Sequence, residues 1–337
     1  MKAIGYRTSL PIAASEALVD FDAPAPTPGP RDLLVAVEAI SVNPVDTKVR
    51  VRAAPAAGET KILGWDAVGT VKAVGPDVTL FRTGDQVFYA GSIARPGANS
   101  ELHLVDERIV GRKPKSLTNA EAAALPLTAI TAWELLFDRL GVVQGKKPGA
   151  GALLIVGGAG GVGSILIQLA ARLTGLTVIA TASRPDTVAW VEKMGAHRVI
   201  DHHKGLAAEL KRIGIPQVQY IAALTATDKH LADYAEIVAP QGRIAVIDDP
   251  ATLDVVPFKR KAVSVHWEFM FTRAVFETPD MIAQHQLLNE VSALVDSGVL
   301  KTTMTENLGR IDAAALKRAH ALLESGKSIG KVVLEGF

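Results

Sequence analysis

The sequence predicts an α/β protein in two parts, a β-rich N-terminal region and a doubly wound parallel sheet. Three observations carry this. Residues 1–115 hold short apolar runs separated by Gly- and Pro-bearing turns, the pattern of a compact barrel or sandwich. From 152 to about 270, strand-like and helix-like stretches alternate, which implies parallel strands with helices on both faces. At the head of that alternation stands Ala152-Leu-Leu-Ile-Val-Gly-Gly-Ala-Gly-Gly-Val-Gly-Ser164. Its Gly158, Gly160 and Gly163 fall on the G-x-G-x-x-G spacing, between an apolar, partly β-branched run and a stretch with Ile165, Leu166, Leu169 and Leu173 at helical spacing. A strand before and a helix after turn this pattern into a dinucleotide fingerprint, with Gly161 and Val162 completing the turn. Residues without Cβ let the backbone approach a pyrophosphate, and the helix N-terminus favours the anion.

Taken in order, residues 33–43 read as a strand, introduced by the turn-rich 24–30. Further strands are predicted at 67–74, 86–89 and 101–110, punctuated by Gly75-Pro76-Asp77 and Thr83-Gly84-Asp85. Thr118 and Glu121 match a capping box before an Ala-rich helix, which Pro126 is expected to end; a second helix covers 127–140. Residues 144–151 form a loop. Strands then follow at 153–156, 177–182, 198–200, 218–224 and 243–247, with helices at 186–194 and 228–238 among them. Beyond 262–271 come helices near 279–295 and 312–323 and a last strand at 331–334. This final segment does not extend the alternation and is expected to return to the N-terminal domain.

Composition narrows the function. Of 337 residues 48 % are apolar and 21 % charged, with a net charge of +1, which gives no reason to expect nucleic acid or a polyanionic partner. Apolar runs break well before the ~20 residues of a membrane span. The start, Met1-Lys-Ala-Ile-Gly-Tyr6, lacks a signal-peptide pattern, so the cytoplasm is expected. There is no cysteine, which removes disulfides, thiol nucleophiles and thiolate zinc sites. The eight histidines form no H-E-x-x-H arrangement, and His202 and His203 would point to opposite faces of a strand. No protein-bound metal is expected.

The end of the second strand selects the dinucleotide. A carboxylate there takes the ribose hydroxyls, whereas a basic or small polar residue favours a 2′-phosphate. Here Ser183 and Arg184 hold the place, and the nearest acid, Asp186, lies beyond a proline. Arg offers charge and donors in one fork, so NADPH is expected over NADH. The plain alternative is that Ser183 caps the next helix and Arg184 is solvated. Lys204 or His202 is placed to join the same pocket.

Several ordered motifs precede the glycine turn: Val42-Asn-Pro-Val-Asp-Thr-Lys-Val-Arg50, Gly64-Trp-Asp-Ala-Val-Gly69, Gly84-Asp-Gln-Val-Phe88 and Leu125-Pro-Leu-Thr-Ala-Ile-Thr-Ala132. Over nearly its whole length the chain resembles the medium-chain dehydrogenase/reductase superfamily, specifically the zinc-independent quinone oxidoreductase branch. The resemblance implies a GroES-like catalytic domain (1–125 and 272–337), a Rossmann domain (126–271), an active site between them, and a homodimer joined through Rossmann-domain edges. Where zinc relatives carry Gly-His-Glu this chain has Gly64-Trp65-Asp66, and where a ligating cysteine follows the early strand it has Asn43-Pro-Val-Asp46. Without a Lewis acid, reduction of a quinone or an α,β-unsaturated carbonyl is the natural chemistry.

The resemblance also implies site residues. Asn43, held extended by Pro44, and Asp46 match cleft-lining positions; the ordinary alternatives are a turn residue and a structural hydrogen bond. Lys48 stands where relatives have tyrosine and would polarise the acceptor oxygen, unless it is simply solvated. Tyr89 would donate a phenol hydrogen bond or merely pack. Trp65 would fill the zinc position or stack on a flat substrate. Thr131 matches the threonine beside the nicotinamide ribose or phosphate, and Val246 with Phe269 and Phe271 falls where backbone meets the carboxamide. Two other readings stay open: an enoyl-thioester or aldehyde reductase, and a non-catalytic NADPH-binding regulatory protein.

Overall fold

Alternation along the first long strand sets the architecture of the N-terminal part. In this computed structural model, which describes residues 1–147 and 149–337, the chain divides into two units, 1–130 with 271–337, and 131–270. Pro148, within the expected loop at 144–151, lies outside the described residues.

The first unit begins with β1 (Lys2–Tyr6), β2 (Val19–Asp22) and β3 (Asp32–Val42). Leu33, Val35, Val37 and Ala39 of β3 alternate inward and are buried, as a half-buried strand requires. Then come α1 (Pro44–Arg52), β4 (Lys61–Ile62), β5 (Ala67–Val74), β6 (Gln86–Tyr89), β7 (Leu102–Asp106), β8 (Val110–Arg112) and α2 (Asn119–Ala123). β3 pairs antiparallel with β5 along one edge, and along the other with β7 first and the final strand afterwards. The expected strand at 101–110 is thus two strands, divided by a 3₁₀ turn at Glu107–Ile109. The helix α1 was not expected, although Pro44 at its first position and Asp46 two residues on are start signals.

Thr118 and Glu121 do form the capping box of α2, with Glu121 N donating to Thr118 Oγ1 at 3.2 Å and Thr118 N to Glu121 Oε2 at 3.0 Å. Pro126 opens α3 (Pro126–Trp133), since its missing N–H is no loss at a first helical position. The expected helix at 127–140 does not stay regular. It widens into a π turn over Glu134–Arg139, where Leu140 N donates to Leu135 O at 2.9 Å. One helical run, Asn119–Arg139, is long and apolar enough to cross a membrane, and 83 % of its most apolar stretch is buried in the protein, as in a core helix.

The second unit alternates as the sequence predicts: β9 (Ala152–Val156), α4 (Gly161–Leu173), β10 (Thr177–Thr181), α5 (Pro185–Met194), β11 (Arg198–Ile200), α6 (Leu206–Arg212), β12 (Val218–Ala223), α7 (Thr227–Ile237), β13 (Val238–Val246) and β14 (Ser264–Trp267). Its six strands run parallel in the order β11-β10-β9-β12-β13-β14, the doubly wound order of a Rossmann sheet. Leu154, Ile179, Ile221, Ile244 and Phe258 form one apolar core within it.

The chain then returns to the first unit through α8 (Thr272–Val275), α9 (Ala283–Asp296), β15 (Met304–Asn307), α10 (Ala313–Glu324) and β16 (Lys331–Glu335). β16 enters the seven-stranded sheet against β3, with Val332 opposite Val42. α10 is held to α1 by Arg50, a buried guanidinium that donates to Leu10 O, to Glu324 Oε1 and to His320 Nδ1, the last at 3.4 Å.

Burial, and then the Arg50 charge, push the His320 imidazole down to about 3 from the ordinary 6.5. Its folded pKa is depressed, so its contribution to stability is complete above pH 6.5 and is lost as pH falls towards 3. Urea unfolding at stepwise lower pH is expected to show that loss, on the order of 5 kcal/mol for a shift of this size. The slope should be smaller by one proton in His320→Leu.

Candidate functional site

Register places the candidate binding residues of the second unit along one edge. Across the sheet, Ile200 pairs with Thr181, Val156 with Ala223, Ala223 with Val246, and Val246 with Trp267. These are the last residues of their strands or next to them, so the segments that follow all leave from the carboxyl edge. Asp201-His202, Ser183-Arg184, Gly157 to Gly163, Ile247 and Glu268-Phe269 therefore line one side of the sheet. Strand order reverses between β9 and β12, the switch point where open α/β sheets take ligands.

The glycine turn sits at that point. A Cβ on Gly163 would lie 2.5 Å from Gly157 O and 2.6 Å from Gly158 O, so only glycine lets the helix close against the turn. A Cβ on Gly160 would meet nothing nearer than Gly157 O at 3.6 Å and would point into open space, as expected where a phosphate approaches the backbone. Ser164 N, donating to Gly160 O at 2.9 Å, makes the first intrahelical bond of α4. The N–H groups of Gly161, Val162 and Gly163 have no acceptor within the helix and project from its positive end. Two side chains set the turn: Thr181 Oγ1 accepts from Gly157 N at 3.0 Å, and Ser164 Oγ donates to Gly160 O at 2.7 Å while accepting from Trp190 Nε1 at 2.8 Å. This cradle fits a dinucleotide diphosphate.

At the end of β10, Ser183 is half-buried and Arg184 exposed. Ser183 does not cap α5. Arg184 is itself the N-cap position, and Thr187 Oγ1 accepts from its N–H at 3.1 Å and donates to its carbonyl at 2.8 Å. Arg184 Nε reaches Asp186 Oδ1 at 3.3 Å, a contact 44 % and 60 % exposed on its two sides and therefore weak. His202 lies in a 3₁₀ turn rather than on a strand, and its ring is 4.2 Å from that of His203 instead of on the opposite face. Burial and the His203 charge lower its pKa, and its Nδ1 is buried without a hydrogen-bond partner among the described residues.

Val246 O accepts from Glu268 N at 3.0 Å, so the ends of β13 and β14 are tied together. Phe269 beside them is half-exposed. Thr131 is buried on α3. Phe271 falls in the first unit, where its ring meets Trp65 edge-on at 6.1 Å between centroids.

The other candidates belong to the first unit, and three of them lie closed off from solvent. Asn43 and Asp46 are 1 % exposed and Tyr89 is fully buried. Asp46, in the first turn of α1, accepts from Asn43 N at 2.7 Å and from Gly64 N at 3.0 Å, a fold-holding arrangement. Burial pushes its carboxyl up to about 7. Asn43 Nδ2 donates to Asp66 Oδ2 at 2.8 Å, and Asn43 Oδ1 accepts from Lys331 Nζ. Tyr89 OH lies 3.0 Å from His103 Nδ1, whose other ring nitrogen faces Pro96 O at 3.0 Å. The free amide and phenol expected of Asn43 and Tyr89 are thus engaged inside the unit, because β3, β6 and α1 bury them. Lys48, further along α1, is half-buried.

Two residues at the centre of this cluster escaped sequence reasoning. Asp66, noted only as a replacement, accepts from Ser41 Oγ at 2.9 Å, Leu127 N at 2.8 Å and Lys331 Nζ at 3.1 Å as well as from Asn43. Lys331, read only as the start of a strand, is 3 % exposed and also donates to Val42 O at 3.0 Å. Burial outweighs their mutual attraction: it raises the Asp66 pKa and lowers that of Lys331.

Comparison with known proteins agrees with this geometry. Residues 29–115 match the alcohol dehydrogenase GroES-like domain and residues 194–334 the zinc-binding dehydrogenase family. A zinc-type alcohol dehydrogenase-like protein of Staphylococcus aureus is 42 % identical, over 99 % of both chains. A solved Rhizobium etli protein, described as a candidate zinc-dependent alcohol dehydrogenase, is 60 % identical, with 100 % and 98 % coverage and a TM-score of 0.96. A Pseudomonas syringae quinone oxidoreductase is 28 % identical over 99 % of each chain, TM-score 0.84. A mycobacterial protein solved with NADPH is 27 % identical over 100 % of each, TM-score 0.83. The chain belongs to the medium-chain dehydrogenase/reductase superfamily, in its quinone oxidoreductase branch, with a GroES-like domain and a Rossmann sheet. It is an oxidoreductase of that superfamily, whose members bind nicotinamide cofactors.

The zinc named in those descriptions does not fit the residues present. Trp65 offers only an indole N–H, which donates to Ser92 O at 3.2 Å, and the chain has no cysteine. Among the described residues no three His, Asp or Glu side chains gather as a metal site.

Lys331→Met should cost ~3–5 kcal/mol, because it leaves a buried carboxylate without its cation. Denaturant unfolding should show that loss, and the double change with Asp66→Asn should cost less than the sum of the two singles.

Proposed function

We propose that this protein is an NADPH-dependent reductase of quinones or α,β-unsaturated carbonyls that works without zinc. The observation that carries the reading is the open glycine cradle at the sheet's switch point, with Ser183 and Arg184 at the end of the neighbouring strand. Bound NADPH supplies the hydride. The chain's own part is to hold and orient. The N–H groups of Gly161, Val162 and Gly163 bind the diphosphate. Arg184 and the Ser183 hydroxyl take the 2′-phosphate, for which Arg184 exchanges its weak contact with Asp186. His202 borders the same pocket. Thr131, the main chain at Val246 and Phe269, and the Phe271 segment receive the nicotinamide end.

The absence of zinc-ligating chemistry at Trp65 and the likeness to a quinone oxidoreductase support an acceptor that needs no Lewis acid. Of the four catalytic candidates, Lys48 keeps a partly exposed side chain and is assigned to the acceptor oxygen. Asn43, Asp46 and Tyr89 act by shaping the unit that carries it. The protein is further assigned to the cytoplasm as a homodimer. β14 ends the six-stranded sheet with its Trp267 56 % exposed, an edge suited to pairing with the same edge of a second copy.

Purified protein is expected to oxidise NADPH, followed by ultraviolet absorbance, when benzoquinone or phenanthrenequinone is added. Arg184→Glu should reduce the preference for NADPH over NADH about tenfold or more through loss of the phosphate fork. No acceptor-dependent oxidation across a broad panel of quinones and enones sinks the assignment. Sedimentation should report a dimer, and Trp267→Glu should shift it to monomer.

A further inference from the structure

The amino edge of the six-stranded sheet, opposite the edge that carries the glycine turn, gathers cations that the proposed chemistry does not use. Register puts the starts of β9, β10 and β11 side by side there, with Thr177 against Ala152 and Arg198 against Ile179. Three segments meet at this edge. The loop at 145–147 is tied to the end of α4: Gly145 N donates to Leu173 O at 2.8 Å, and a Cβ on Gly175 would lie 2.2 Å from Lys147 O. The end of α5 packs on the same helix, since a Cβ on Gly195 would lie 3.5 Å from that of Ala171. His197 then joins the start of β10 twice. Its N–H donates to Val178 O and its Nδ1 accepts from Val178 N, both at 2.9 Å.

Lys146, Arg172, His197 and Arg198 are all exposed on these segments. Lys146 and Arg172 have no ion pair among the described residues, and Arg198 spends one N–H on His197 O at 2.7 Å. Burial, and then the charges of Arg198, Lys146 and Arg172, lower the His197 pKa, and no carboxylate is among the charges acting on it. The imidazole is therefore neutral near pH 7. Because Nδ1 accepts, its proton sits on Nε2, a donor with no acceptor among the described residues. Arg172 lies in the last turn of α4, where a cation complements the helix dipole. That does not account for Lys146, in a loop, or Arg198, which opens a strand. In a chain of net charge +1 the cluster is a local field, not general basicity. All three cations act on one imidazole, so the charge converges on a point rather than running as a stripe. This suits a compact polyanion and not an extended nucleic acid. Guanidinium forks and an imidazole N–H are donors matched to phosphoryl oxygens.

We propose that Lys146, Arg172, His197 and Arg198 form a second anion site, at the sheet edge away from the glycine cradle, for a small molecule that carries two or more phosphoryl groups. Arg172 and Arg198 take phosphoryl oxygens in their forks, His197 donates through Nε2–H, and Lys146 approaches from the loop. A ligand held by all four spans the loop before β9, the end of α4 and the start of β11, and so stabilises this edge of the sheet when bound. The site stands whether or not the glycine turn holds NADPH.

Isothermal titration of the full protein with inorganic tripolyphosphate tests this. Saturable binding is expected, weakened about tenfold or more in R172E and in R198E through loss of a fork. It should persist in R184E, at the other edge of the sheet, and in K259E, in the separate basic run at 259–261. Binding that survives R172E and R198E lies elsewhere, at the glycine turn for instance, and overturns the site. Equal weakening by K259E reports the overall field of the protein and overturns it too. So does a single-stranded oligonucleotide that binds at these residues where tripolyphosphate does not. A second measurement needs no variant: nitrogen NMR of the wild-type histidines should show the His197 pKa rising when tripolyphosphate is added, because an anion offsets the three cations. An unchanged His197 titration at saturating tripolyphosphate overturns the proposal even if the charge reversals fail to fold.

Discussion

Asp66 collects donors from Ser41, Asn43, Leu127 and Lys331, the farthest of them 265 positions away from it in sequence. A carboxylate this deeply buried is tolerable only because every donor arrives. The cluster therefore requires β3, the start of α1, the start of α3 and the returning strand β16 to be in place together. It explains why the C-terminal segment folds with the N-terminal unit although the whole nucleotide-binding sheet intervenes in sequence. It also explains why Asn43 and Asp46 lie inward: Asn43 completes the shell of Asp66, and Asp46 holds the neighbouring Gly64 amide.

The proposed cofactor cradle in the second unit is built largely from main-chain geometry. The parallel register lines up the strand ends, the Gly163 approach brings α4 against the turn, and unsatisfied amides result at one point. Side chains such as Thr181 and Ser164 lock that geometry. In the proposed reading the choice of dinucleotide falls to Ser183 and Arg184, which lie past the end of the paired strand β10.

How much of this was legible beforehand follows from range. Periodicity and turn residues are local, so the parallel strands were placed to within a few residues and the capping box of α2 was found. The glycine turn was legible because its function is carried by spacing. Breaks at Glu107 and Glu134 were not legible: each falls inside a run whose composition suits the regular element, and tertiary contacts decide the break. Lys331 gave no signal, since a lysine at a strand start is usually solvated and its partner Asp66 is set by topology. The burial of Asn43 and Tyr89 is likewise a matter of which strands surround them. Glu134 within an apolar helix was the one hint of a buried charge, and it reads equally well as an exposed residue on the helix's outer face.

The wide turn at Glu134–Arg139 also constrains how this segment can change in length. Removing one residue there would let the helix wind regularly, an apparent gain in local order, and would leave Glu134 and the arginine four positions apart, about 40° around an ordinary helix and so still on one face. Removing a residue from the regular Pro126–Trp133 stretch instead would turn Arg139, whose Nε donates to the buried Glu268 at 2.8 Å, by about 100° and leave that carboxylate without its cation. Elsewhere on a surface such a length change passes as a loop variation. Here it would be felt as electrostatics, so the wide turn is where this helix can absorb a change of length and keep its charge in phase with the sheet.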